Sequence, residues 1–176
     1  MMTKSLKFTT TAALFGALLF ADSRAVAGSA NTTFTVTATV ANNCTISAAN
    51  LAFGAYDPIV ANATTNLDNT GSVTITCTKG ATTTIGLSAG SNGANATGTT
   101  RAMSTGGGSP SYLSYELFSD SGRTTVWGNS GGALFTPAAA PSKAARAFTV
   151  YGRIPSGQDV PASIAYSDTI TATVNF

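Results

Sequence analysis

The chain has 176 residues, with nine basic side chains, seven acidic ones and no histidine. That excludes a Ser-His-Asp triad and any histidine-built metal centre, and two cysteines alone make a poor metal site. The formal charge of +2 belongs to the first 27 residues, where Lys4, Lys7 and Arg24 outweigh Asp22. Beyond them Lys79, Arg101, Arg123, Lys143, Arg146 and Arg153 balance Asp57, Asp68, Glu116, Asp120, Asp159 and Asp168. A neutral surface rich in Thr, Ser, Ala and Gly has no nucleic-acid footprint and little charge to resist self-association.

Residues 1–27 read as an export signal. Lys4 and Lys7 form a positive start, residues 12–21 an apolar run too short to span a bilayer, and Ala25-Val26-Ala27 a cleavage site. The competing reading is a membrane anchor or buried helix, and the order of the three features favours export. The mature chain then begins at Gly28, and no later segment is long and apolar enough to insert stably in a membrane. Cys44 and Cys77 form an even pair in an exported chain, which favours a disulfide over two buried thiols.

The mature part reads as β throughout. Short runs of Thr, Val, Ile, Phe and Tyr alternate between Gly, Asn, Ser and Pro. Residues 33–40 carry the clearest period of two. Phe34, Val36, Ala38 and Val40 face one way and four threonines the other. Further strands are expected at 44–53 (with a bend at 48–50), 72–78, 82–88, 112–118, 147–154 and 166–176. Short ones are expected at 125–127 and around 133–135. Tyr56-Asp57-Pro58 marks a turn and 138–147 a loop. The stretch 89–108, which holds Arg101 and Met103, is not placed beyond a long connection or short edge strands. Eight or so short strands indicate one β-sandwich.

The first of these strands has two readings. It pairs within its own chain as an ordinary first strand, or it adds to the edge of another molecule and fills a groove there. The last strand, ending at Phe176, leaves an edge to cover. Head-to-tail donation of a strand does not close on itself, so it builds a fibre.

Four segments resemble the spore coat protein U family, which includes pilin subunits of archaic chaperone–usher pili. They are Leu51-Ala52-Phe53-Gly54-Ala55-Tyr56-Asp57-Pro58, Val73-Thr74-Ile75-Thr76-Cys77-Thr78-Lys79-Gly80, Val150-Tyr151-Gly152-Arg153-Ile154-Pro155-Ser156-Gly157-Gln158 and the ending from Tyr166 to Phe176. The resemblance implies an all-β fold: an incomplete immunoglobulin-like sandwich, completed by donor-strand exchange. Its organisation would be a signal (1–27), a donor extension (28–43) and a pilin domain (44–176). Phe34, Val36, Ala38 and Val40 would be donated. Ile170, Ala172, Val174 and Phe176 would form the acceptor edge, also used by a chaperone, with Cys44–Cys77 as the disulfide. The implied partners are identical or related pilins, a periplasmic chaperone and an outer-membrane usher, and the implied location is a pilus on the cell surface, in adhesion or biofilm formation. No cofactor is implied.

Catalytic and sugar-binding features are weak. Most carboxylates lie beside turn residues, where Asp caps locally. Gly106-Gly107-Gly108 is followed by neither a helix nor Lys-Ser/Thr, so it is no phosphate loop. Trp127 with Tyr112 and Tyr115 would make a sugar platform, but Trp on a sandwich is more often core. The alternatives to a fibre subunit are a self-contained secreted binding module and a spore-coat structural protein.

Overall fold

The computed structural model describes residues 27–163 and 165–176; the expected export signal lies outside them except for Ala27. The described chain is all-β, with strands β1 (Cys44–Ala49), β2 (Leu67–Cys77), β3 (Thr84–Leu87), β4 (Arg101–Ser104), β5 (Tyr112–Phe118), β6 (Arg146–Ile154) and β7 (Ala172–Asn175). No helix among the described residues is long and apolar enough to cross a membrane.

All pairings are antiparallel. One sheet runs β1-β2-β6-β5-β4, and a second contains β3-β7. An immunoglobulin sandwich places strands A, B, E and D on one sheet and C, F and G on the other. Here β1, β2, β6 and β5 take the first four places, with β4 added at the far edge. β3 and β7 take C and F. Among the described residues no strand occupies the place of G, beside β7 on the side away from β3.

Alternation explains the core. On β2, Val73, Ile75 and Cys77 are buried; on β6, Val150, Gly152 and Ile154. Leu113, Leu117, Ile85 and Leu87 meet them from the other strands. Trp127 is fully buried and donates its indole N–H to Ile85 O at 2.9 Å. It packs on Phe135 (centroids 4.9 Å apart), which meets Phe148 edge-on at 5.1 Å. Trp127 is thus core, as its residue type indicates, with no face left for a sugar.

Of the two readings of residues 33–40, pairing within its own chain is not what the structure has. Residues 27–43 form no strand, pair with no ladder among the described residues and are exposed throughout. Backbone N–H and C=O groups order into a strand only against an edge, and here no edge is supplied. The strand expected at 44–53 stops at Ala49, because Leu51 and Phe53 turn onto the face of β6. Gly152 permits this: a Cβ there would lie 2.7 Å from both side chains. At 125–127 and 133–135 only single bridges form, Phe118 with Val126 and Ile85 with Phe135. The last strand is shorter than expected because Ser167 bridges Ser104 and Asp168 binds loop backbone before β7 begins at Ala172. The unplaced stretch 89–108 contains β4.

Candidate functional site

β1 and β7 are each an edge of their sheet, and although they approach one another they share no ladder. Between them and the segments 50–59 and 157–170 the sandwich opens into a groove of about 1420 Å³. Its floor is the core itself: Val73 of β2, Leu87 of β3, Leu113 and Leu117 of β5, and Val150 and Ile154 of β6. Ala48 and Ala49 line one wall; Ile170 and Ala172 line the other. The small side chains of β1 leave width for an inserted backbone.

Of the four residues expected at the acceptor edge, the structure places Ile170 and Ala172 in the groove wall. Val174 lies half-buried on β7 opposite Ile85, and Phe176 is exposed at the end of the chain. The wall also contains Leu51, Phe53 and Tyr56 from the motif after β1. Phe53 packs edge-on to Tyr115 at 6.1 Å.

Polar groups fix the groove's far end. The Tyr115 hydroxyl donates to Asp168 Oδ2 at 2.8 Å. Burial, and then this bond to a carboxylate, push the Tyr115 pKa well above the usual phenol range, so it stays a donor. Asp168 Oδ1 accepts N–H groups of Ser91 (2.8 Å) and Thr169 (2.9 Å). Gly90 sits against this carboxylate at φ +77, where a Cβ would overlap it. The Gln158 amide acts as one rung of a ladder, donating to Ser114 O and accepting from Ser114 N, both at 2.8 Å. The Tyr56 hydroxyl accepts from Gln158 N at 2.9 Å and donates to Pro155 O at 3.0 Å. These contacts give the resembling motifs their geometry.

Near the start of the described residues, Phe34, Val36 and Val40 are 85%, 81% and 85% exposed. Ala38 lies among them, also exposed. The segment's root is fixed. Asn43 N donates to Thr78 Oγ1 at 3.1 Å, Thr78 Oγ1 donates to Ala41 O at 3.2 Å, and Thr78 N donates to Asn43 O at 2.9 Å. One residue on, Cys44 and Cys77 face each other across β1 and β2 and are disulfide-bonded, as expected.

Sequence reasoning missed a buried ion pair between Arg101 of β4 and Glu116 of β5. The Arg101 guanidinium also donates to Ser88 O (2.9 Å), Leu87 O (3.0 Å) and Trp127 O (2.7 Å). Glu116 Oε2 accepts from Thr100 N and Thr100 Oγ1, both at 2.8 Å. The pair therefore clasps β3 of the second sheet to β4 and β5 of the first. A signal existed: Glu116 is the one charge in an apolar strand, and a buried charge needs a partner. Asp57 and Asp120 serve turns. Backbone N–H groups of Ile59 and Val60 hold Asp57 below the usual carboxylate range, and those of Thr125 and Thr124 do the same for Asp120.

The fold and groove define an immunoglobulin-like domain open at its last strand position. The spore coat protein U domain matches residues 30–173, and the chain belongs to that family. It is 36% identical to Protein U of Myxococcus xanthus over 183 aligned residues, covering 98% of this chain and 99% of that one. A similar solved structure is the CsuC–CsuE chaperone–tip adhesion subunit pre-assembly complex from the archaic chaperone–usher Csu pili of Acinetobacter baumannii. It aligns at TM-score 0.53 and 23% identity, covering 78% of this chain and 41% of that chain, a likeness of fold.

Proposed function

We propose that this protein is a structural subunit of a bacterial surface fibre, and that it polymerises by laying residues 33–40 into the groove of the next copy. One observation carries the reading: the chain has both an unfilled strand position and an unpaired, amphipathic strand-like segment. Phe34, Val36, Ala38 and Val40 fill the groove of the acceptor, and main-chain bonds form along β7. Burying the three larger side chains contributes about 5–8 kcal/mol before ordering costs.

Before assembly the open groove and the unpaired edge of β7 are an aggregation hazard. A periplasmic chaperone therefore fills the groove first, and an outer-membrane usher oversees the exchange; the Csu complex and the family resemblance support this. The fibre serves adhesion and biofilm formation. The test is removal of residues 28–42 behind an intact export signal. The chaperone complex should persist and polymers should vanish; polymers of normal yield refute the donor role.

The whole-length identity to Protein U and the family's own description favour a second setting, a spore coat built by the same exchange. Electron microscopy of the native assembly separates the two: discrete fibres on growing cells, or a layer around a spore.

A further inference from the structure

The turn after Tyr56 presents Ile59 and Val60 to solvent at 81% and 77% exposure. It is a braced turn. Asp57 Oδ1 accepts N–H groups of Ile59 (2.9 Å) and Val60 (3.1 Å), Asn62 N donates to Asp57 O at 2.7 Å, and the buried Asn62 donates Nδ2 to Thr65 O at 3.0 Å. Two adjacent large apolar side chains held outward on a fixed turn form a knob. Ile59 also lines the groove, beside Pro58 and Tyr56.

We infer that this knob seats against a second copy of the chain, the one whose segment fills the groove, at the face around that copy's Cys44–Cys77 disulfide. The inference rests on strand donation as proposed above. A strand added beside β7 in an antiparallel sheet runs opposite to it, so its carboxyl end, Val40, emerges near Asp168 and Ile170 rather than Asn175. The groove there continues past Tyr166 to Pro58 and Ile59. The donor has no slack beyond that point. Ala41, directly after Val40, is already bonded to Thr78, and Asn43 is bonded twice. At roughly 3.5 Å per residue, the donor's body must touch the mouth of the groove.

The face it brings there is concave. Asn43, Cys44, Thr45, Thr76, Cys77, Thr78 and Lys143 surround a depression of about 250 Å³. The disulfide-bonded Cys44 and Cys77 line it together with Lys143. Knob and depression lie on opposite ends of one subunit, so their contact is head-to-tail, as donation is. It fixes the angle between successive subunits.

The test uses fibres assembled from the full chain in its own bacterium, with benzoyl-phenylalanine in place of Val60, or of the exposed Thr149 on β6 as control. On illumination, position 60 should crosslink between subunits to residues 43–45, 76–78 or 143, and position 149 should not. Fibres that assemble but give no such crosslink from position 60 overturn the contact while leaving strand donation standing. Failure of the unmodified chain to form fibres overturns both. In a second arm, the Val60→Ser variant should polymerise yet show a shorter persistence length in electron micrographs; an unchanged persistence length refutes the contact.

Discussion

Arg101 and Glu116 meet in a place where neither charge can reach water. Truncating one partner of such a pair strands the other. Arg101→Met also removes the donors to three carbonyls, of Leu87, Ser88 and Trp127. Urea unfolding of the purified subunit should show a loss of about 3–5 kcal/mol. Arg101→Met combined with Glu116→Leu should recover part of that loss, since no charge is left uncompensated. Asp68 is a different case. It accepts from Arg153 Nε at 2.8 Å and Nη2 at 2.9 Å, and Arg123 lies 3.3 Å away, at a solvent-open edge. The bond from Arg153 holds its pKa below the usual carboxylate value. A depressed pKa adds stability above the unfolded value of about 3.9, and this is lost as pH falls through the folded value. Asp68→Asn should therefore flatten the acid limb of the stability curve below about pH 4. The effect at neutral pH should be no more than about 1 kcal/mol, because exposed pairs are screened.

Among the elements, the apolar run gave β5 its bounds and periodicity gave β6 to within one residue; β6 buries alternate side chains, whereas β5 is buried along almost its whole length. Composition hid β4. Its four residues, Arg-Ala-Met-Ser, sit in a Gly/Asn/Thr stretch and are held as much by the Arg101 side chain as by the ladder. The segment 33–40 had the strongest strand pattern and is no strand here, because pattern specifies which face is buried and leaves open whose edge buries it. The groove was legible only through the family resemblance; nothing in alternation reveals that a sheet lacks a member. The disulfide was legible from compartment, and it joins the donor's root to β2. Replacing both Cys44 and Cys77 by Ser should cost roughly 3–4 kcal/mol, as expected for the loop it closes. Chemical denaturation of the subunit, with matched slopes for both forms, measures this.

For the whole molecule, strand donation as proposed above would make the apolar row of residues 33–40 and the groove two halves of one interior carried by different copies. A charge in that row becomes an unpaired charge in a dry slot. Val36→Asp should leave the chaperone-bound subunit soluble and properly folded, because Val36 is exposed in the isolated chain. It should also make polymers dissociate in detergent that leaves the parent polymers whole. Electrophoresis without boiling reads this directly; equal resistance of the two polymers would remove Val36 from the groove.

The tether at Ala41–Asn43 has a mechanical consequence. When a fibre built this way is stretched, tension leaves the buried donor along a single backbone and reaches the domain at Cys44. There the covalent bond to Cys77 hands the load to β2, the longest strand, laddered on both flanks. Peeling β1 away, the weakest route for an edge strand to fail, is thereby bypassed, and each link yields first where one subunit slides out of the next.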